Sequence, residues 1–520
     1  MTITAIGGGP TAVPLRSSAS ILPLIAILSL MFLWLLVAVN RTVHDPYMDE
    51  IFHIPQAQKY CEGRFDEWDP KITTFPGLYL ASTLYAKAAF TLNVGDFCSV
   101  AVLRSVNLLF ALGNVVLCVL LRRHVAPQDP NALLHALRIA VFPPLLFFAF
   151  LFYTDAGATF FVLLMALLAE RVDLLQYPPA RGSFMLSSLS GAVAVLFRQT
   201  NIIWVVFVAG TVVVRCVELA HSKFIYGSLK EDTSASGTSS VTHSSLRVFL
   251  SFISVVISNL PSILLIVWPF VVIVAGFVGF LVANGGIVVG KFESRANVNV
   301  HATSGWISLT FFLLNCAGDK SNHEVTFHGA QVLYFIVVAA SGFGLSLIAP
   351  NQLKRSIASL RWNAGSSRGV VFMIFAVVVT IGVIHLFSPV HKFMLADNRH
   401  YTFYVWRKFF LKHDMAKFLP APLYLYFGWR CWDELGRRRS PLWKLVYALA
   451  VCLVLIPSPL VEPRYYCVPF ILLHLNTSNQ SAFHLWIVTA VYMVVNMLTL
   501  YIFLYHPYTW VDGSTARFMW

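Results

Sequence analysis

Two adjacent carboxylates, Asp49 and Glu50, lie in the stretch "YMDEIFH", shortly after the first long apolar run of the chain, residues 21–39. A carboxylate near the edge of a membrane is partly desolvated, which raises its basicity. Such a group suits the role of general base for a reacting hydroxyl. The alternative is a solvated pair that caps an interfacial helix. Asp49 and Glu50 are therefore the first candidates for catalysis.

Five further polar clusters follow later apolar runs. They are "FYTD" (152–155), "RQTN" (198–201), "GDKSNH" (318–323), "LADNRHY" (395–401) and "VEPRYY" (461–466). The candidate residues in these clusters are Asp155, Arg198, Asp319, Lys320, Asp397, Arg399, His400 and Arg464. Acids at broken helix ends near a membrane more often serve function than packing, and Asp155 follows the paired prolines of "FPPLLFFAFLFYTD".

The basic residues among these candidates need partners. A cation close to a membrane pairs with a neighbouring acid or binds an anion. For Arg464, the acid would be Glu462, and the anion would be the phosphate of a lipid substrate. His323 and His328 could ligate a metal only with an acid from elsewhere, and the chain has no DxD or HExxH pattern. The sequence therefore predicts no metal centre and no bound cofactor.

The composition shows where such groups must lie. Of 520 residues, 58% are hydrophobic and only 12% are charged, so the chain is predicted to be an all-α polytopic membrane protein. Apolar runs of suitable length predict roughly 11 to 14 transmembrane helices. The net charge of +13 comes from basic residues spread over short loops, which argues for topology signals and against nucleic-acid binding.

The basic residues fall on every second loop, which places those loops and the N-terminus in the cytosol. The six polar clusters then fall at the opposite, luminal ends of the apolar runs. Unrelated polar groups from most of the chain would meet on one face only if that face used them. The luminal face is therefore predicted to carry an active or binding site.

The remaining segments are assigned by composition. We expect a disordered cytosolic tail over 1–20, a membrane domain over 21–505, a first luminal loop with interfacial helices over 41–100, a cytosolic loop over 219–247 and a C-terminal tail over 506–520. Residues 248–283 read as one apolar run. In the first loop, aromatic side chains would lie at headgroup depth or form a wall against a sugar or isoprenoid chain. Cys61 and Cys98 would pair there or remain free thiols.

Several stretches together resemble a known family. They are "YMDEIFHIPQAQKYC", "WDPKITTFPGLY", "FPPLLFFAFLFYTD", "RQTNIIW", "GDKSNH", "ADNRHYTFYVW" and "VEPRYY". They look like the motif set of the dolichyl-phosphoglucose-dependent α-1,2-glucosyltransferases of the endoplasmic reticulum, which are membrane glycosyltransferases of the GT-C class. The resemblance runs in order over residues 35–475.

The resemblance implies transfer of the terminal glucose from dolichyl phosphate β-glucose to the diglucosylated dolichyl-diphosphate oligosaccharide, with both lipids entering from the bilayer. An α-linked product from a β-linked donor implies inversion, with one base on the acceptor hydroxyl and positive charge at the departing phosphate. The base would be Asp49 or Glu50. The phosphate would be met by Arg464, Arg399 and His400, together with Arg198 and Lys320, while Asp155, Asp319 and Asp397 would orient sugar hydroxyls.

One departure from the family pattern concerns residues 291–318, which separate "NGGIVVG" from "DKSNH" where the family usually runs straight through. The segment can be encoded with a donor-like splice sequence at Gly290 to Phe292 and a pyrimidine-rich tract before Gly318. Its 28 residues keep the reading frame. We interpret it as a retained intron, and the alternative is an evolved luminal loop.

Two other functions fit part of the pattern. A dolichyl-phosphomannose-dependent mannosyltransferase of the same class would show a similar arrangement of helices and charges. A secondary transporter would also have many spans and intramembrane charges, but it should show two matching halves with broken helices, and the sequence has no such internal symmetry.

Overall fold

The computed structural model describes residues 20–93, 95–174, 181–235, 241–284, 327–458 and 460–520. The segment 291–318 and most of the N-terminal tail lie outside these ranges. Within them the chain is almost entirely helical, and the strands form a single two-stranded hairpin near the C-terminus. This agrees with the all-α membrane fold predicted from the composition.

The helices of the first half are α1 (Leu22–Thr42), α2 (Glu50–Cys61), α3 (Gly77–Thr91), α4 (Val100–Val125), α5 (Ala132–Ala140), α6 (Pro143–Phe147), α7 (Asp155–Glu170), α8 (Arg181–Phe197), α9 (Ile202–Ala235), α10 (Val241–Ser258) and α11 (Leu260–Asn284). Those of the second half are α12 (Ala330–Ser341), α13 (Pro350–Ala364), α14 (Ser367–Leu386), α15 (Lys392–Ala396), α16 (Tyr401–Val405), α17 (Ala421–Gly436), α18 (Pro441–Leu455), α19 (Cys467–Leu475) and α20 (Ala482–Tyr505). Strands β1 (Tyr508–Thr509) and β2 (Thr515–Ala516) follow.

Among the described residues, six helical segments are long and apolar enough to cross a membrane. They are Leu22–Thr42, Val100–Val125, Gln199–Tyr226, Leu260–Asn284, Ser367–Leu386 and Ala482–Tyr505. A seventh crossing results if α5 and the segment Pro143–Phe150, which meet at 66°, form one broken span. The break coincides with Pro143 and Pro144, which lack the N–H groups that would continue the helix. The protein is therefore a multi-pass membrane protein.

Serine side chains cap the N-termini of several of the helices. Ser99, Ser440 and Ser481 each accept a hydrogen bond from the backbone N–H three residues later, at the starts of α4, α18 and α20. This contact satisfies one of the backbone donors that a helix leaves free in its first turn. The sequence thus fixes the start of each of these helices locally.

The first loop, residues 41–100, holds two short helices, α2 and α3, that pack on each other. Neither is among the helices long and apolar enough to cross a membrane. The pairing left open by the sequence is resolved, because Cys61 and Cys98 form a disulfide. A separate hydrophobic cluster stabilises the loop, in which Tyr60, Leu78 and Tyr79 pack with residues such as Leu103 of α4 and Phe197 of α8.

At the opposite end of the helices, two arginines of the basic loops are fully buried. Arg122 donates from Nε to Asp129 Oδ2 at 2.7 Å and from Nη1 to the carbonyls of Leu475 and Thr477 at 2.9 and 2.7 Å. Arg138 donates to the carbonyl of Gly342. These side chains therefore join distant helices, in addition to any effect on topology.

Three segments differ in form from their sequence interpretation. The run 248–283 is divided into α10 and α11 at Asn259, one residue before Leu260 and two before Pro261. The expected loop 219–247 is helical over most of its described length, because α9 continues to Ala235 with a kink at His221. The expected tail 506–520 is a folded β-hairpin with packed aromatic side chains.

Candidate active site

The two adjacent carboxylates point into different environments, because the backbone turns sharply before them. Met48 has φ of +56°, a left-handed conformation that is strained for a residue with a side chain. Asp49 is the N-cap of α2 and Glu50 is its first residue. The turn directs Glu50 into the protein and leaves Asp49 at the site.

Glu50 is fully buried and fully bonded. Arg104 of α4 donates from Nε to Oε1 at 2.9 Å and from Nη2 to Oε2 at 2.6 Å. The backbone N–H groups of Phe152 and Tyr47 add bonds of 2.6 and 3.1 Å. Four donors thus occupy both oxygens, and the carboxylate has no solvent exposure. This arrangement connects α2, α4 and the segment after α6.

Asp49 is accessible by contrast. Its side chain is 39% exposed, and its Oδ2 accepts a hydrogen bond from Arg464 Nη1 at 3.1 Å. Desolvation raises the pKa of the Asp49 carboxyl, but the positive charge of Arg464, with smaller effects from His53 and His400, brings the pKa below its ordinary value. Asp49 is therefore an ionised, reachable carboxylate, and the rise in basicity that we expected from desolvation is outweighed by the charge of Arg464 together with these smaller effects.

Arg464 lies at the centre of the site. It follows Pro463 in the short 3₁₀ turn Pro463–Tyr466 and pairs with Glu462 as well as with Asp49. Its guanidinium carbon lies 5.4 Å from the centre of the Tyr153 ring. Its Nη1 lies 3.8 Å from Asp155 Oδ2. Desolvation lowers its pKa, and the surrounding carboxylates outweigh that effect, so the net pKa is raised. Arg464 is therefore a permanent cation shared by several acids.

Asp155 and Arg198 form the next pair of the cluster. Arg198, directly after α8, donates from Nη1 to Asp155 Oδ1 at the start of α7. Asp155 Oδ2 is buried without a hydrogen bond. The turn before Asp155 is held by Asn107, whose amide donates to the carbonyls of Leu151 and Tyr153 at 2.6 and 2.7 Å. A polar atom of the site is thus left free to accept a hydrogen bond.

Asp397, Arg399 and His400 form a second cluster. Arg399 donates from Nε and Nη2 to the two oxygens of Asp397 at 2.8 and 2.7 Å. His400 Nε2 lies 3.5 Å from Asp397 Oδ2. Burial raises the pKa of Asp397, but the hydrogen bonds from His400 and Arg399 lower it to well below the usual range. This cluster is electrostatically coupled to the acid pair. Burial raises the pKa of Tyr47 and Arg399 lowers it to a smaller extent, while His400 contributes to the lowered pKa of Asp49.

The structure therefore brings Asp49, Asp155, Arg198 and Arg464 together, with Asp397, Arg399 and His400 alongside. Glu50 adjoins this cluster but has no solvent exposure. Lys320 and Asp319 are outside the described residues. The described ranges contain no group of three or more His, Cys, Asp or Glu side chains arranged to hold a metal ion.

Several residues of the site were missed by sequence reasoning. Arg104 lies inside an apolar helix, where a single arginine among apolar neighbours was the available signal. His53 follows Asp49 by one helical turn, and its Nδ1 lies 2.6 Å from Tyr79 Oη. Of the aromatic side chains of the first loop, Trp68 and Tyr79 pack with ring centres 5.7 Å apart, which supports this loop from within.

This arrangement can perform acid–base chemistry and can stabilise a neighbouring negative charge. An exposed carboxylate can accept a proton, and guanidinium groups next to it can stabilise negative charge that develops on a leaving group. The free oxygen of Asp155 can accept a hydrogen bond from a hydroxyl. The site therefore suits a reaction between a hydroxyl and a phosphate-bearing compound.

Comparison with known proteins gives a consistent result. The model of the DIE2/ALG10 family matches residues 43–475. The chain is 37% identical over 495 residues to a protein of Rattus norvegicus, covering 93% of this chain and 95% of that protein. It is 35% identical over 494 residues to a protein of Homo sapiens, with coverage of 93% and 95%. With a protein of Arabidopsis thaliana it shares 32% identity over 546 residues, covering 95% of this chain and 99% of that protein.

All three relatives are named Dol-P-Glc:Glc(2)Man(9)GlcNAc(2)-PP-Dol alpha-1,2-glucosyltransferase. The family match includes Asp49, Asp155, Arg198, Arg399 and Arg464, and it ends before the C-terminal hairpin. Because this match covers most of the chain, and the relatives are aligned over nearly their whole length, the chain belongs to the DIE2/ALG10 family.

Proposed function

We propose that the protein transfers glucose from dolichyl phosphate β-glucose to the diglucosylated dolichyl-diphosphate oligosaccharide and forms an α-1,2 linkage. The names of the relatives support this donor, this acceptor and this linkage. The structural observation that carries the proposal is the exposed Asp49 carboxylate held beside Arg464. It supplies a base and a cation at one point of a membrane protein.

Asp49 is the base in this proposal. Both oxygens of Glu50 are occupied by Arg104 and two backbone N–H groups, so a proton or a substrate hydroxyl would have to displace a buried ion pair. Asp49 has one hydrogen-bonded oxygen, Oδ2, and among the described residues no donor bonds Oδ1. Geometry therefore favours Asp49, and Glu50 becomes the group that anchors the turn.

The reaction is a single displacement. The acceptor 2-hydroxyl oxygen attacks C1 of the donor glucose while Asp49 takes the hydroxyl proton. The bond between C1 and the phosphate oxygen breaks, and its electron pair leaves with dolichyl phosphate. Attack from the face opposite the phosphate converts the β-linked donor into an α-linked product, so no protein nucleophile is needed.

Positive charge at the departing phosphate comes from the arginine side chains in this proposal. Arg464 is the nearest to Asp49, while Arg198 and Arg399 each hold one carboxylate partner. His400 and Lys320 are further candidates for the same role. A guanidinium keeps its charge at all relevant pH values and can bond phosphate oxygens in pairs. The proposal includes no resident metal or other cofactor.

Hydroxyl groups of the sugars are assigned to carboxylates. The free Oδ2 of Asp155 is buried at the site and has hydrogen-bonding capacity for a donor from the substrate. Asp397 and Asp319 are assigned the same role as candidates. Binding of sugar would therefore give this oxygen, which is 3.8 Å from Arg464 Nη1, the hydrogen bond that it lacks in the described structure.

We place the site on the luminal side of the endoplasmic reticulum membrane. The Cys61–Cys98 disulfide supports this side, since disulfides persist in oxidising compartments. Arg122 and Arg138, with other basic residues, mark the opposite end of the helices. The six long helices, the bent pair and the four shorter apolar helices make eleven, and we propose that these and further short helices such as α7 complete the 11 to 14 crossings expected of a GT-C type enzyme.

The test is a transfer assay with the purified full-length chain. It supplies the diglucosylated lipid-linked acceptor with either dolichyl phosphate glucose or dolichyl phosphate mannose. Incorporation of glucose alone supports the proposal, and incorporation of mannose alone replaces it with a mannosyltransferase of the same class. A variant lacking residues 291–318, assayed in parallel, shows whether that segment blocks activity. Transfer of neither sugar by either form would contradict the proposed reaction.

A further inference from the structure

The C-terminal segment, residues 508–520, lies beyond the residues matched by the family model and folds back onto the active site. Its two strands, β1 and β2, pair antiparallel and are joined by a turn in which Gly513 has φ of +83°. A left-handed backbone at this point is easily adopted by glycine, so the hairpin forms locally. The rest of the segment runs along the loop that carries Arg399 and His400.

One set of contacts fixes that loop through side chains. Tyr508 Oη and Trp510 Nε1 both donate to Asn398 Oδ1, at 2.7 and 3.3 Å. The guanidinium carbon of Arg399 lies 4.4 Å from the centre of the Trp510 ring. Asp397 holds the same guanidinium through two of its nitrogens. Arg399 is thus fixed by Asp397 through hydrogen bonds and covered by the indole.

A second set fixes the backbone of the same loop. The N–H of Met519 donates to the carbonyl of Arg399 at 2.8 Å, and His400 Nδ1 lies 3.0 Å from the carbonyl oxygen of Trp520. The Tyr401 ring packs against Trp520 with ring centres 4.3 Å apart. The C-terminal segment therefore holds the backbone at Arg399 and the ring of His400.

A third set connects the segment to the turn that bears the acids. Tyr47 Oη accepts from the N–H of Arg517 at 2.7 Å and lies 2.9 Å from the Arg517 carbonyl oxygen, to which it donates. Tyr47 is two residues before Asp49, and its own N–H donates to Glu50. The Arg517 side chain donates to the carbonyls of Phe503 and Leu504 at the end of α20, at 2.8 and 3.0 Å.

We infer that residues 508–520 are a positioning element of the active site, which holds Arg399 and His400 against the Tyr47–Glu50 turn so that both side chains face the donor phosphate. Trp510 and Arg517 are its main positioning residues. The inference rests on the proposed function for the identity of the donor. An arginine side chain has many rotamers, and fixing it before the substrate arrives reduces the entropy lost on binding.

The inference predicts a selective effect on the donor. Trp510→Ala removes the ring beside Arg399 and should raise the KM for dolichyl phosphate glucose by about tenfold, within the range expected for a desolvated cation–π contact. The KM for the oligosaccharide acceptor should be nearly unchanged. Trp510→Phe keeps a ring under the guanidinium and should restore most of the donor affinity, since only the weak bond to Asn398 is lost.

The matched control is Val511→Ser, one residue further along at the fully exposed tip of the hairpin. Binding of dolichyl phosphate to the full-length chain, followed by intrinsic fluorescence, gives a readout that does not need turnover. Weaker binding by Trp510→Ala than by Val511→Ser supports the inference even if the parent protein proves inactive with glucose. That combination would overturn the proposed function alone.

Two results would overturn the inference itself. One is an active parent enzyme whose donor KM and dolichyl-phosphate affinity do not change in Trp510→Ala or Arg517→Ala. The other is a loss of thermal stability with an equal fall in rate for every substrate and no selective change in donor KM. The second result would show that the hairpin stabilises the fold without positioning the cations.

Discussion

The carboxylate of Glu50 lies 2.6 Å from the guanidinium of Arg104, and neither side chain has any solvent exposure. The partners are 54 residues apart and belong to different helices, α2 and α4. Their pairing leaves the neighbouring Asp49 as the carboxylate that faces the open site. In the proposed reaction, a structural role of Glu50 and a catalytic role of Asp49 are thereby divided between two consecutive residues.

Breaking the Glu50–Arg104 pair should destabilise the fold. Glu50→Gln or Arg104→Gln leaves a buried charge without its partner, and each should lower the free energy of unfolding in detergent by about 3–5 kcal/mol. The double variant should cost less than the sum of the single variants, because both charges are then removed. Chemical denaturation of the four proteins measures this coupling.

Glu62→Gln is the matched control, since its partner Arg64 is on the surface and an exposed ion pair contributes little to stability. Additive effects of Glu50→Gln and Arg104→Gln would show that the pair does not act as a unit. A Glu50→Gln variant of full stability but without activity would make Glu50 the base.

Arg464 should control the pH dependence of the reaction. It lowers the pKa of Asp49, so in the parent enzyme the carboxylate remains ionised as the pH falls towards the ordinary aspartate value of about 3.9. Arg464→Gln removes this charge and leaves desolvation, which raises the pKa. The acidic limb of the kcat/KM profile should therefore move to higher pH.

The profile is measured between pH 4 and pH 8, with Arg464→Lys as the variant that keeps the charge. The acidic limb of the Arg464→Lys profile should remain close to that of the parent, although bidentate contacts are lost. Identical profiles for the parent and Arg464→Gln, at any absolute rate, would mean that Asp49 does not set the acidic limb.

The Cys61–Cys98 disulfide should stabilise the first loop. It closes a loop with a sequence separation of 37 residues, for which the chain-entropy estimate is about 3–4 kcal/mol. Replacing both cysteines with alanine should lower the unfolding midpoint, while Cys216→Ala, at a free and partly exposed cysteine, should have a smaller effect. Labelling of Cys61 by a thiol reagent in the unreduced protein would contradict the bond.

Glycan mapping tests the side assigned to each end of the helices. Asn476 is 4% exposed and donates to the carbonyl of Leu472, in the same region as the buried Arg122. We expect no glycan at the sequons of Asn476 and Asn479. Lys71→Asn creates a sequon at an exposed position of the first loop and should be glycosylated if that loop is luminal. Sugar at Asn476, or none at Lys71→Asn, would reverse the topology.

Much of the site was predictable from the sequence because its residues interrupt apolar runs at one end. Asp155 and Arg198 are each polar residues that closely follow such a run, and the structure pairs them although they are 43 positions apart. For Arg464, the sequence offered Glu462 or an anion as partner. In the structure Arg464 pairs with Glu462 and also with two further acids, Asp49 and Asp155.

What could not be predicted depends on contacts between distant segments. The choice between Asp49 and Glu50 required the position of Arg104 and the backbone of Phe152, neither of which has a local signal beside the acid pair. The C-terminal segment reads as a tail because its residues have no apolar period, yet Tyr47 binds it across 470 positions. Long-range hydrogen bonds of this kind leave no mark on the local pattern.

The most direct test of the account is glucose transfer from dolichyl phosphate glucose to the diglucosylated lipid-linked acceptor by the parent chain, Asp49→Asn and Glu50→Gln, with folded protein quantified in each sample. Removing a general base lowers a rate by about 10²–10⁴-fold. We expect such a loss of kcat for Asp49→Asn at unchanged stability, and we expect the folded fraction of Glu50→Gln to keep most of its activity. Full activity of Asp49→Asn would contradict the account.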